Sequence, residues 1–154
     1  MRFKDKSVII TGGGGKIAKA YAMAFATEGA KLCLPDIASA DQIVKTIKDM
    51  GGTAISMACD VSNEQSVKAM VDETVQQFGT VDVLINNAAY FMSVWKGPFW
   101  EMSVEEFDKA MAVNVRGSWL CAKAAVPYMQ KQKSGKIINI SSNVALTGNP
   151  NYIH

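Results

Sequence analysis

Five short runs of β-branched and aliphatic residues, separated by longer stretches of helical periodicity, constrain the fold of this chain more than any other feature. The runs are Ser7 to Thr11, Lys31 to Pro35, Thr53 to Cys59, Val81 to Ile85 and Lys136 to Ile140. Strands separated by crossovers of this length pair in parallel, and right-handed crossovers lay helices on both faces of the sheet. The predicted fold class is therefore α/β, a doubly wound parallel sheet with five strands present.

The intervening helices carry their own punctuation. One is predicted from about Lys16 to Glu28, closed by Gly29. Ser39 with Gln42, Ser62 with Gln65 and Ser103 with Glu106 have the spacing of a capping box, in which two side chains satisfy orphan amides reciprocally. Ile43, Ile47 and Met50 share a face of the second helix. Val67, Met70, Val71, Thr74, Val75 and Phe78 form the stripe of the third. A single long helix is expected from about Val104 to Lys131.

At 154 residues the chain fits one domain, residues 1–154, and 49% hydrophobic against 19% charged residues is enough for a core. The net charge of +2 comes from dispersed charges with no basic cluster, so neither nucleic acid nor membrane is expected as a partner. Cys33, Cys59 and Cys121 lie in apolar runs without metal-ligand spacing and read as reduced core thiols. Val8-Ile9-Ile10 is too short for a signal peptide core or a membrane span, which leaves the cytoplasm as the expected location.

Gly12-Gly13-Gly14-Gly15 stands between the first strand and the first helix. A dinucleotide site needs glycines there, because the backbone must turn tightly, approach the pyrophosphate and aim helix N-terminal amides at it. A plain flexible turn is the other reading. Asp36 ends the second strand. A carboxylate there can accept both ribose hydroxyls of adenosine and repels the added phosphate of NADP, and Ile37, Ala38 and Ser39 supply no arginine for that phosphate. NAD is the expected cofactor, unless Asp36 is only a turn residue beside the Ser39 cap.

The motifs together resemble the short-chain dehydrogenase/reductase family. Thr11 to Ala18 is similar to its glycine motif, with Lys16 and Ala18 in place of two glycines. Asp60-Val61 is similar to its adenine-contacting pair, and Asn86-Asn87-Ala88-Ala89 to its Asn-Asn-Ala-Gly motif. Val113-Asn114-Val115 resembles its helix asparagine, and Ile138 to Ser142 the strand carrying its serine. The resemblance covers essentially the whole chain and implies a Rossmann-like oxidoreductase acting on CH–OH groups.

It implies that Gly12, Gly14, Gly15, Lys16 and Ile17 cradle the pyrophosphate, Ile17 through its amide. Asp36, followed by Ile37, would hold the adenosine ribose. Asp60 and Val61 would meet the adenine. Asn87 would pack near the ribose and stabilise the central strand, with Ala88 and Ala89 also in the cofactor site. Asn114 would interrupt its helix and hold a water in the proton relay, and Ser142 would hydrogen-bond the substrate oxygen. Taken singly, Asn114 also reads as a solvent-facing helix residue, Asn86 and Asn87 as a strand-end turn, and Ser142 as a loop cap.

The family's proton donor is a tyrosine about 13 residues after the serine, with a lysine roughly four residues further on. Counted from Ser142, that position lies past His154. Tyr152 reads as a loop aromatic and His154 as a bystander. The 154 residues are thus expected to be the N-terminal part of a seven-strand domain, inactive alone, with Lys136 to Ile140 as an exposed apolar edge. The loop Ala88 to Trp100 is dense in aromatics, either an apolar wall for a hydrophobic or aromatic substrate or packing against the protein body or another subunit. Helices such as Ser103 to Lys131 pack between subunits in the family, which implies a homodimer or homotetramer. Three functions stand: an NAD-dependent alcohol dehydrogenase or carbonyl reductase, a non-catalytic nucleotide-binding module, and an epimerase or dehydratase using the same cofactor.

Overall fold

The computed structural model of the protein describes residues 1–91 and 93–148. Tyr152 and His154, singled out above, lie outside the described residues. Five strands form one sheet: β1 (Ser7–Ile10), β2 (Lys31–Asp36), β3 (Thr53–Ala58), β4 (Val83–Asn86) and β5 (Lys136–Asn139). Every pairing is parallel, and the order is β3-β2-β1-β4-β5. Around it lie α1 (Lys16–Thr27), α2 (Asp41–Asp49), α3 (Glu64–Phe78), α4 (Val104–Met111), α5 (Ser118–Lys131) and the one-turn α6 (Val144–Thr147).

The two-residue repeat of a strand sorts the core into two layers. Val8, Ile10, Leu32, Leu34, Val83 and Ile85 face Ala18 and Ala22 of α1 and Ile43, Val44 and Ile47 of α2. Ile9, Cys33 and Leu84 face the other way, against Val67, Met70 and Val71 of α3 and Leu120, Cys121 and Ala125 of α5. Both faces are covered, as a doubly wound parallel sheet requires. Each fully buried Ile or Leu in these layers contributes about 1.5–3 kcal/mol. β5 is different: it is an edge strand exposed along its whole length, including Ile137 and Ile138, as its sequence suggested.

Helix boundaries depart from expectation in instructive ways. The second helix is not capped by Ser39, whose hydroxyl accepts the Asp41 amide in a local turn while α2 starts one residue later, after Ala40. Ser62 does not cap α3 either. Its amide and hydroxyl both donate to Asp60 Oδ1, and Asn63 takes the cap by accepting the Ser66 amide at 2.9 Å. Ser103 caps α4 as expected, accepting the Glu106 amide, but the Glu106 carboxylate does not return to complete the box. α3 stops where Gly79, at φ +88°, donates its amide to the Val75 carbonyl. The expected continuous helix from Val104 to Lys131 is three segments, because Ala112–Gly117 forms a π-turn between α4 and α5. Such turns concentrate at functional sites.

Strand order reverses at β1: β2 and β3 lie on one side of it, β4 and β5 on the other. The crevice between the C-terminal ends of β1 and β4 is thus the switch point where open α/β sheets bind ligands.

Candidate dinucleotide site

The glycine run leaves β1 straight into this crevice. Gly12 has φ +68°, and a Cβ there would sit 3.0 Å from the Ala88 Cα. Gly13 is buried, and a Cβ on it would fall 2.7 Å from the carbonyl carbon and Cβ of Leu34. The loop can therefore lie flat on β2 only without side chains. Gly13 amide donates to the Pro35 carbonyl at 2.9 Å, which pins it there. Gly14 and Gly15 are exposed, as are Lys16 and Ile17, whose side chain is 58% exposed. α1 opens after Gly15 with no acidic residue in its first turn, so the helix carries no carboxylate of its own where its dipole favours an anion. Ala18, in the place of a glycine, is fully buried and packs in the α1 layer, so the extra methyl is accommodated.

Thr11 ties the two halves of the crevice together. Its hydroxyl oxygen accepts the amides of Asn87 and Ala88, each at 3.0 Å, and its carbonyl accepts Asn87 Nδ2 at 2.9 Å. Asn87 and Ala88 are half-buried and Ala89 is exposed. Asn86, one residue earlier, is buried and donates to Asn139 Oδ1 and to the Ser118 carbonyl, joining β4, β5 and α5.

Asp36, half-buried at the end of β2, accepts the Gly14 amide through Oδ2 at 2.8 Å and the Ala38 amide through Oδ1 at 2.9 Å. One carboxylate oxygen is therefore held by the glycine loop, while the other closes a turn with Ala38, the turn role that its sequence also allowed. Ile37 is 82% exposed. Asp60 is exposed and holds the Ser62 turn, whereas the Val61 side chain is buried against Gly117 of the π-turn. The two residues thus present a polar group and a backbone stretch at the C-terminal end of β3.

Asn114 sits inside the π-turn, where the interruption implied for it is found. Its side chain clamps the Tyr90 backbone, accepting the Tyr90 amide at 2.7 Å and donating to its carbonyl at 3.3 Å. Ser142 lies beyond the C-terminal end of β5, exposed, and its hydroxyl accepts the Val144 amide at 3.3 Å, the cap arrangement that its sequence also allowed. The structure thus gathers Gly12, Gly14, Gly15, Asp36, Asn87, Ala88 and Asn114 into one hydrogen-bonded and packed framework at the strand ends. Thr11 and Gly13, read as parts of the glycine motif, and Tyr90, read as part of the aromatic loop, belong to that framework too. Thr11 had a usable signal, an inward-facing hydroxyl at the end of a buried strand.

A family model described as short chain dehydrogenase matches residues 6–154. An uncharacterized oxidoreductase of Thermotoga maritima is 43% identical over 152 residues, covering 97% of this chain and 59% of that protein. The peroxisomal hydratase-dehydrogenase-epimerase of Saccharomyces cerevisiae is 39% identical over 160 residues, covering 97% of this chain and 17% of that protein. Among solved structures, an NAD+-bound xylitol dehydrogenase superposes with a TM-score of 0.92 at 32% identity, over 98% of this chain and 58% of that one. The chain therefore spans little more than half of the Thermotoga protein and of the xylitol dehydrogenase.

Proposed function

Because the chain belongs to the short-chain dehydrogenase family, we propose that residues 1–154 form the NAD-binding domain of an oxidoreductase acting on an apolar or aromatic alcohol or ketone. The observation that carries this reading is the Asp36 carboxylate, which ends β2 and accepts the Gly14 amide beside the glycine loop. Two carboxylate oxygens accept two ribose hydroxyls, and their charge repels a ribose phosphate.

The residues fit such a group. Gly12 and Gly13 keep the loop low, Gly14 and Gly15 brace it through amides given to Asp36 and to the Gly12 carbonyl, and the exposed start of α1 at Lys16 and Ile17 would meet a pyrophosphate. Asp60 and Val61 would border the adenine end, and Asn87, Ala88 and Ala89 would lie near a ribose of the cofactor. When bound, the nicotinamide supplies or accepts the hydride. The chain itself would orient the substrate through polar groups: the Ser142 hydroxyl, which accepts the Val144 amide, can turn to a substrate oxygen, and the π-turn at Asn114 is where a proton-relay water would be held. Phe91, Phe99 and Trp100, all more than half exposed on the loop after β4, fit an apolar substrate wall.

A homo-oligomer fits the exposed Val115 and Trp119 of the π-turn and α5. A reducing cytoplasm fits three buried, unpaired cysteines; among the described residues no helix is long and apolar enough to cross a membrane. The test is titration calorimetry of the intact protein with NAD and NADP. NAD is expected to bind at least about tenfold tighter, and Asp36→Ala to erase that margin. Equal affinities in the unaltered protein overturn the assignment.

A further inference from the structure

The Glu106 carboxylate is unused by the cap it belongs to. In α4 the Ser103 hydroxyl accepts the Glu106 backbone amide at 3.1 Å. The side chain instead reaches back across the loop that follows β4. Its Oε1 accepts the Trp95 amide at 2.7 Å, and its Oε2 lies 3.1 Å from the Tyr90 hydroxyl, whose proton is shared with the Ser93 carbonyl. A backbone amide on a carboxylate makes a charge-assisted bond, roughly twice as strong as a neutral one.

Each of the two aromatics is then braced a second time. The Tyr90 backbone is clamped by Asn114, and Lys109 of α4 lies 4.5 Å from the Tyr90 ring centroid. The Trp95 indole lies over Gly97, where a Cβ would meet the ring at 2.8 Å, and its Nε1–H donates to the Pro98 carbonyl at 3.4 Å. Glu106 is the one side chain bonded to both Tyr90 and Trp95 among the described hydrogen bonds. The loop starts at Ala88, in contact with Gly12, so the segment that Glu106 fixes is continuous with the cofactor cradle.

We propose that Glu106 is a positioning residue for the substrate: by joining Tyr90 and Trp95 to α4 it holds the aromatic wall in a preformed shape and sets the preference for bulky apolar alcohols and ketones over small ones. The proposal rests on the reading of this site as a nicotinamide-dependent alcohol or ketone site. Preorganised apolar surface favours the substrates that fill it, because no loop has to be ordered on binding. A small alcohol makes few contacts with the wall and is indifferent to it.

The experiment compares Glu106→Ala and Glu106→Gln with the unaltered intact protein. Both leave the Ser103 cap in place, since that cap uses the Glu106 backbone. Hydrogen exchange of the Trp95 amide is expected to accelerate about tenfold in Glu106→Ala, while amides of β1 and β4 keep their rates. KM for 1-phenylethanol is expected to rise about tenfold, KM for 2-propanol to stay within about twofold, and the NAD affinity to be unchanged. Glu106→Gln, which keeps an acceptor oxygen without the charge, is expected to fall between. Unchanged Trp95 exchange overturns the proposal, and so does faster exchange with no change in the ratio of the two KM values. An unaltered protein that binds no NAD, or does not turn over 1-phenylethanol, overturns the reading of the site and with it the substrate role of Glu106; the anchoring of Trp95 is then judged on the exchange rates alone.

Discussion

At Gly13 a methyl group would lie 2.7 Å from the backbone of Leu34 in the middle layer of the sheet. Neither partner can swing away, because both are buried main chain. Gly13→Ala is therefore expected to lower the free energy of unfolding by about 1–3 kcal/mol, seen as an earlier urea midpoint; an unchanged midpoint would show that the loop lifts off β2 at no cost. The buried thiols set a second residue-scale expectation. Burial pushes Cys33 from its ordinary 9.0 to about 11 and Cys121 to about 12. Both are raised, so between pH 9 and those values the folded chain keeps protons that the unfolded chain has lost. Stability is full below pH 9 and falls as pH climbs through 11 and 12. Melting temperatures across pH 8–11.5 should show that fall, and Cys33→Ala should make it shallower. At this scale the sequence was informative about chemistry and silent about contacts. The four glycines look alike as letters, and only the path over Leu34 separates Gly13 from the exposed Gly14 and Gly15.

Among the elements, the π-turn of Ala112–Gly117 decides between two opposed effects. In an exposed stretch of ordinary helix, replacing glycine by alanine gains about 1 kcal/mol. Gly117 is buried, and a Cβ there would approach Val61 Cγ2 to 2.9 Å. Val61 is itself packed in the α3–α5 layer, so the clash should win, and Gly117→Ala is expected to destabilise by about 1–3 kcal/mol in chemical denaturation. A gain would mean that Val61 moves freely. The strands and helices were legible because buried parallel strands and amphipathic stripes have different periods. The π-turn was not legible as geometry; it came only from the likeness of Asn114 to a motif. Ser39 and Ser62 had the right cap spacing, but each found a nearer amide or carboxylate, and a one-residue shift of the helix start follows.

At the scale of the whole molecule, the sheet among the described residues ends at β5, where Ile138 is 43% exposed and Ile140, just beyond, 41%. A parallel edge with open backbone groups and isoleucine side chains is a template for pairing with another strand. These 154 residues expressed by themselves are expected to self-associate in light scattering, and Ile138→Lys with Ile140→Lys to reduce that association; if it persists, Val115 and Trp119 on the helical side are the surface responsible. The parallel, doubly wound character of the sheet was readable from the crossovers, whereas the meeting of loops from β1, β2 and β4 depends on where the strand order reverses. One bond made at that meeting has a further consequence. The Gly14 amide rests on the Asp36 carboxylate, so the residue suited to choose a cofactor also braces the loop suited to carry it. A lineage, or an engineer, exchanging Asp36 for a neutral residue to admit a phosphorylated cofactor would slacken the cradle in the same step. Cofactor preference in this chain is then not a one-letter trait: the replacement has to bring its own acceptor for Gly14, or the glycine loop has to change along with it.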